Sequence, residues 1–237
     1  MGLRFSPSSL SDFAKCRRCW WLDKKHKLKL PRGAFPSLPG GMDRALKVHY
    51  DNARAQGVLP SEIVGKVPGL LYGDQANLKR WRNWRTGLEV EVAPGVSISG
   101  AVDDLLEDKA SGLFSMIDYK TRGAAPIPGG TEQYYQIQAN CYEAMLWGNG
   151  MKTDEHGRFV YYWPKESLGE QAPGEFFFSF NVEVVTIATD RNHAHKLAIA
   201  AASVMEGPLP DGDCEVCKFI DERSERVSME YGASPAL

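Results

Sequence analysis

Leu10, Phe13, Ala14, Trp20 and Trp21 recur at helical spacing and predict an opening helix from Ser9 to about His26. A basic run from Lys24 to Arg32 follows, and the Pro/Gly-rich stretch from Pro31 to Gly41 predicts a loop. Met42, Ala45, Leu46, His49 and Ala53 then return at i+3 and i+4, predicting a second helix from Met42 to Gln56 with His49 on its apolar face. A third helix, from Gln75 to Thr86, sets Lys79, Arg80, Arg82 and Arg85 among Trp81 and Trp84. In the middle of the chain the period changes from 3.6 to 2. Leu88–Val92, Val96–Glu107 and Leu113–Lys120 read as strands, the last two joined by a turn at Lys109-Ala110-Ser111-Gly112. A helix from Glu132 to Trp147, strands over Phe159–Trp163 and Glu175–Thr186, and a closing helix from Asn192 to Met205 complete the pattern. Gly232–Leu237 reads as a frayed tail.

Helices, then a run of antiparallel strands, a helix and further strands imply an α/β fold with a central mixed β-sheet flanked by helices. The 237 residues, 43% of them hydrophobic, suffice for a substantial core. They read as a single domain: an N-terminal helical and cysteine segment (1–40), a core (41–190), and a C-terminal helix and cysteine segment (191–237). No stretch approaches the roughly 20 apolar residues of a membrane span, and the first residues lack an apolar leader, so a soluble, cytoplasmic protein is expected. With 28 basic against 30 acidic side chains the net charge is −2, which leaves no global attraction to a polyanion. Nucleic-acid binding would have to rest on local patches: Lys15, Arg17 and Arg18, the run Lys24, Lys25, Lys27, Lys29 and Arg32, and Lys79, Arg80, Arg82 and Arg85. Trp81 and Trp84 are either core residues or platforms for single-stranded bases.

The chemistry concentrates in Ile117-Asp118-Tyr119-Lys120-Thr121. Alternate strand residues share a face, so Asp118 and Lys120 project together, with Phe114 and Met116. If the turn closes a hairpin with Asp108 opposite Leu113, counting back places Asp103 opposite Asp118, with Cβ atoms about 4.5 to 5.5 Å apart. Two carboxylates so close repel unless a cation lies between them, and oxygen ligands suit a hard ion such as Mg2+ or Mn2+. Such an ion polarises a phosphodiester and generates hydroxide, while Lys120 orients the water and offsets developing charge. A lone Asp-x-Lys is also the pattern of a surface ion pair, and a lone His49 on an apolar face is also a core histidine. Gln138 and Tyr142, four residues apart on the following helix, share a face that can reach the same site.

The chain has five cysteines, four of them in two Cys-x-x-Cys pairs, Cys16/Cys19 and Cys214/Cys217. That spacing suggests a metal or cluster site joining the two ends. Cys141 stands within an apolar helical pattern and is expected to be buried.

Taken in order, these residues resemble the RecB-like nucleases of the PD-(D/E)XK superfamily, a group that includes AddB-type helicase-nuclease domains and CRISPR-associated RecB-like exonucleases. Ser6-Pro7-Ser8-Ser9-Leu10 through Phe13 and Cys16, His49 after a glycine-rich loop, Gly100-x-x-Asp103, the Asp118-x-Lys120 strand, Gln138-x-x-x-Tyr142 and Cys214-x-x-Cys217 are each similar to a family segment. The resemblance implies a restriction-endonuclease-like core and a metal held by His49, Asp103, Asp118 and the Tyr119 carbonyl. Lys120 would act on the water, with Gln138 and Tyr142 in support. It implies a Mg2+- or Mn2+-dependent deoxyribonuclease, an exonuclease on single-stranded DNA or duplex ends in repair, recombination or CRISPR or phage DNA processing, working beside a helicase or another DNA-processing protein. The alternatives are a catalytically silent DNA-binding or assembly subunit and a zinc-stapled scaffold. The family's 4Fe-4S cluster takes one cysteine near the start and three near the end, whereas here the split is two and two. Four thiolates at Cys16, Cys19, Cys214 and Cys217 suit an iron-sulfur cluster, the reading the resemblance favours, or a structural Zn2+.

Overall fold

The computed structural model describes residues 2–31, 33, 37–172 and 175–231. The chain opens with β1 (Leu3–Phe5), α1 (Pro7–Lys15) and α2 (Arg17–His26), followed by α3 (Ser37–Ala55), β2 (Leu70–Leu71) and α4 (Gln75–Trp81). Strands β3 (Leu88–Ala93), β4 (Val96–Gly100), β5 (Asp104–Asp108) and β6 (Leu113–Thr121) lead into α5 (Gly130–Gly148). The long strands β7 (Thr153–Ala172) and β8 (Glu175–Ala188) and helices α6 (Arg191–Glu206) and α7 (Glu215–Tyr231) complete it. A five-stranded sheet in the order β2-β5-β6-β7-β8 carries one parallel pair, β6 with β7, and a small sheet in the order β1-β4-β3 stands beside it. This is the expected mixed sheet flanked by helices.

Alternation along β6 decides what each helix covers. Met116 packs with Phe159, Tyr161 and the buried face of α5, in a core that also takes Ala194, Ala198 and Ala201 of α6. Ile117 and Tyr119 point the other way and pack with Val160, Tyr162 and the Leu46, Tyr50 and Ala53 stripe of α3. Each fully buried large apolar side chain contributes about 1.5–3 kcal/mol, so both faces are strongly fixed. A one-residue slip of β6 would exchange the two sets and is excluded on that ground.

The hairpin register is the expected one. Asp108 pairs with Leu113 and Asp104 with Ile117, and Gly112 closes the turn at φ 71°, a left-handed conformation that suits glycine. The stretch read as one strand from Val96 to Glu107 is two strands in two sheets. The chain leaves β4 after Gly100 and enters β5 at Asp104, and the Ala101–Asp103 link is tied to α4 by Val102 N–H donating to the Trp81 carbonyl.

The opening helix is likewise two. Ser6 caps α1 by accepting from Ser9 N–H, Pro7 follows at the first position, and the chain breaks at Cys16, whose φ of −163° is extended. Ser37–Gly41, assigned to a loop from the sequence, belongs to α3, and the short strands β1 and β2 and the helix α7 add to the elements that the sequence pattern predicts. Arg32 and the tail 232–237 lie outside the described residues. Among the described residues no helix is long and apolar enough to cross a membrane.

Candidate active site

Asp118 is 1% exposed, on the β6 face that meets α5. Its Oδ2 accepts 2.8 Å from Gln138 Nε2, while its Oδ1 pairs with the Lys120 ammonium. Gln138 holds three groups at once. Its Oε1 accepts from Lys120 Nζ at 3.3 Å, and its amide nitrogen also donates 2.9 Å to Tyr142, whose hydroxyl donates 2.9 Å to the Ala101 carbonyl. Helical spacing puts Gln138 and Tyr142 on one face of α5, so the relay pins the Asp118/Lys120 pair to the link that carries Asp103. Lys120 Nζ lies 4.4 Å from the centroid of the Tyr135 ring, a cation–π contact that narrows where its charge can go.

Asp103 sits one step beyond the last β5–β6 pair and therefore across from Asp118. Its carbonyl accepts 2.6 Å from Arg82 Nε, and its carboxylate takes Lys47 Nζ at 2.9 Å and Tyr119 N–H at 3.4 Å. Burial pushes Asp118 up to about 6 despite the Lys120 ammonium alongside, and the Asp103 charge adds to the rise. Burial works against the Lys120 charge, but Asp118 outweighs it and the ammonium is held above its usual range.

Asp104, the next residue, is fully buried on the opposite face. Arg54 NH2 and Tyr119 Oη each donate to its Oδ2 at 2.5 Å, Arg82 NH2 donates at 3.0 Å, and the Leu105 N–H covers Oδ1 at 2.8 Å. Arg82 also forks onto Asp51 at 2.8 and 2.9 Å. This buried charge network was not read from the sequence, where Arg82 was assigned to a basic DNA-facing patch. The doublet Asp103-Asp104 offered the only local signal for it.

Of the expected site residues, Asp103, Asp118, Lys120, Gln138 and Tyr142 come together. Tyr119 contributes its backbone to that edge and its side chain to Asp104. His49 goes elsewhere: its side chain is 52% exposed, and its Nε2 pairs with Glu62 Oε1 at 2.9 Å. The apolar stripe of α3 runs through Leu46, Tyr50 and Ala53, which leaves His49 beside it and not on it. Trp81 is core, whereas Trp84 is 71% exposed. Trp84 lines a groove of about 760 Å3 with Lys15, Lys24, Tyr134, Gln138 and Tyr142, so the groove reaches the two α5 side chains that hold Asp118 and Lys120.

The four paired cysteines converge from both ends of the chain. Their sulfurs all lie within 4.8 Å of one another, with Sγ separations of 3.4 Å for Cys19–Cys217 and 3.7 Å for both Cys16–Cys217 and Cys19–Cys214. The break at Cys16 makes this possible by starting α2 there, and Gly212 lets its loop approach where a Cβ would stand 2.5 Å from Cys217 Sγ. Arg18 adds an ion pair to Asp221 of α7 at 2.8 Å. The group can hold a metal ion or cluster. Cys141 is fully buried and away from this set.

None of the curated proteins compared with the chain matches it. The sequence profile of the PD-(D/E)XK nuclease superfamily matches residues 49–221, most of the chain, and spans Asp103, Asp118, Lys120, Gln138 and the second cysteine pair. With that match over a mixed sheet whose neighbouring strands bring an Asp-x-Lys pair opposite a second aspartate, the chain belongs to the PD-(D/E)XK nuclease superfamily of metal-dependent nucleases.

Proposed function

We propose that the chain is a RecB-like deoxyribonuclease dependent on Mg2+ or Mn2+, and that it degrades single-stranded DNA or DNA ends as an exonuclease. The observation that carries this is Asp118: a carboxylate sealed from water beside Lys120 and across from a second carboxylate, Asp103. Burial and the Asp103 charge both work against an ionised Asp118, and a divalent cation held by Asp118 and Asp103 would offset both. Hard carboxylate donors fit Mg2+ or Mn2+, and the Tyr119 carbonyl lies on the same edge as a further oxygen donor. The ion's chemistry when bound is to polarise the phosphodiester and acidify a water.

The remaining work falls to the chain. Lys120 presents its charge to the phosphoryl oxygens as negative charge develops and orients the attacking water. Gln138 fixes Lys120 and Asp118 relative to each other, and Tyr142 anchors Gln138. The groove beside α1 and α5, with exposed Trp84 and Tyr134 (59%) and the cations Lys15 and Lys24, supports a single strand whose bases stack while its phosphates pass towards Asp118. A helicase or another DNA-processing protein that delivers ends would be a fitting partner.

For the cysteines the reading moves from the iron-sulfur cluster to zinc. Four sulfurs at about 2.3 Å from one ion define a tetrahedron with edges of about 3.8 Å, close to the separations above. A four-iron cube binds each thiolate to a different iron and holds them farther apart. Iron and zinc analysis with visible absorption, after anaerobic purification, tests it: one zinc in a colourless protein is expected, and a brown protein with about four irons would overturn it.

The nuclease itself is tested on end-labelled single- and double-stranded DNA and on circular single strands, with Mg2+ or Mn2+, using wild type, Asp118→Ala and Lys120→Ala. Metal-dependent loss of label by wild type alone, with circles spared, is expected. Equal cleavage by all three proteins would sink the assignment, and cleavage of circles would replace exonuclease by endonuclease.

A further inference from the structure

Arg122 stands two residues beyond Lys120, and its N–H, donating 2.9 Å to the Tyr162 carbonyl, carries the β6–β7 ladder one step past the end of β6. Alternation therefore sets Asp118, Lys120 and Arg122 in a row on the face that meets α5. The Arg122 guanidinium lies 5.8 Å from the centroid of the Tyr161 ring, and Tyr161 is the β7 residue paired with Lys120. Tyr161 is fully buried with its hydroxyl 2.9 Å from Thr131 Oγ1 in the first turn of α5, so the ring that backs Arg122 is itself fixed. What sets Arg122 apart is its company. Lys120 pairs with Asp118, Lys47 with Asp43 and Asp103, and Arg82 with Asp51 and Asp104. In the groove, Lys15 and Lys24 each stand beside an aspartate, Asp12 and Asp23. Among the described residues Arg122 enters no ion pair, and the segment from Gly123 to Gly130 that follows it holds no acidic residue.

We infer that Arg122 grips the DNA phosphate next to the scissile one and so sets the register in which a strand crosses the Asp118/Lys120 pair. This rests on the nuclease reading above and adds a substrate-positioning residue to it. The argument is one of charge and spacing. A strand brought to Lys120 also approaches two carboxylates, Asp103 and Asp118, which repel its backbone, and Lys120 is already engaged with Asp118. Arg122 supplies a cation with no partner of its own about 6.6 Å further along the strand, the scale of one nucleotide step of sugar–phosphate backbone. Its guanidinium is permanently charged and takes two phosphate oxygens at once, which suits it to hold a phosphate in one orientation. Tyr135, whose ring lies 4.4 Å from Lys120 Nζ, also lines the groove, so a strand lying there reaches Lys120 first and Arg122 one step later.

The test is steady-state cleavage of short single-stranded oligonucleotides with Mn2+ by the full chain as wild type, Arg122→Gln and Arg122→Lys. One substrate is all phosphodiester; in the others a single phosphodiester, at successive positions from either end, is replaced by a neutral methylphosphonate. Arg122→Gln should raise KM about tenfold with kcat within about threefold of wild type, as for loss of a charge-assisted contact made before the chemical step. The dependence of log KM on log salt should fall by about 0.7, one phosphate contact on a single strand, and Arg122→Lys should regain it. At one position next to the bond cut, the methylphosphonate should raise KM about tenfold for wild type and less than about twofold for Arg122→Gln. Mn2+ affinity and the urea midpoint of Arg122→Gln should match wild type. An unchanged KM in Arg122→Gln, a KM rise that every methylphosphonate adds to in full, or a lowered urea midpoint that makes Arg122 a structural residue would overturn the inference while leaving the nuclease reading standing. Absence of metal-dependent cleavage by wild type would sink the nuclease reading and this inference with it.

Discussion

Asp104 and Asp118 lie on neighbouring strands of one sheet, and both are lost to solvent, but they are furnished in opposite ways. Asp104 receives two arginines, a tyrosine hydroxyl and a backbone N–H, so its charge is answered by protein groups alone. Asp118 receives one amide on Oδ2 and one ammonium on Oδ1, and faces a second carboxylate, Asp103, across the hairpin. The first arrangement is closed and stabilises the link between α3, α4 and β5. The second is more open: one ammonium and one amide answer a carboxylate that burial and the Asp103 charge hold above its usual range. Burial and residue type are the same at the two positions, so completeness of the donor set is what separates a structural carboxylate from a metal-binding one.

The largest effect that could break this comparison is Asp104→Asn. It removes the buried carboxylate that Arg54 and Arg82 share and leaves both on Asp51 alone, and should cost about 3–5 kcal/mol in urea unfolding while leaving Mn2+ affinity unchanged in the folded fraction. Lys120→Gln should act on the other side of the divide: DNA cleavage falls roughly 10²–10³-fold, as for loss of a charge stabiliser in the transition state, and stability falls as well because buried Asp118 loses its ammonium. Tyr119→Phe removes only the hydroxyl bonded to Asp104 and should cost about 1.5–3 kcal/mol with cleavage near wild type, although Tyr119 sits between the two catalytic positions in sequence. Smallest is His49→Gln, expected to shift stability by no more than about 0.5 kcal/mol, since its ion pair with Glu62 is half exposed. A large loss there would return His49 to the active site and contradict the geometry of α3.

The open half of the comparison was the legible one. The strand over Leu113–Lys120, a glycine at the turn and an aspartate at the right count set Asp103, Asp118 and Lys120 together, because hairpin register depends on near neighbours alone. Gln138 and Tyr142 follow from helical spacing, and the cysteine pairs from their own spacing. The closed half was hidden. Arg54, Arg82 and Asp104 lie up to 50 residues apart in sequence, and a buried arginine has the same local pattern as a solvated one. The break at Cys16 and the sheet change at Ala101–Asp103 left no mark on the period, since Phe13 and Trp20, like Ile98 and Leu105, are core residues on both sides of each break. Spacing defines a stripe only to within one position, and on α3 it is Tyr50 rather than the neighbouring His49 that is buried at its centre.

The most direct measurement is a Mn2+ titration of wild type, Asp118→Asn and Asp104→Asn, paired with urea unfolding of the same metal-free samples. Asp118→Asn should lose Mn2+ affinity by about 10–100-fold or more and be at least as stable as wild type, while Asp104→Asn should bind Mn2+ normally and be several kcal/mol less stable. Normal Mn2+ binding by Asp118→Asn, or weakened binding by Asp104→Asn at unchanged stability, would contradict the assignment of an open metal-binding carboxylate at Asp118 and a closed structural one at Asp104.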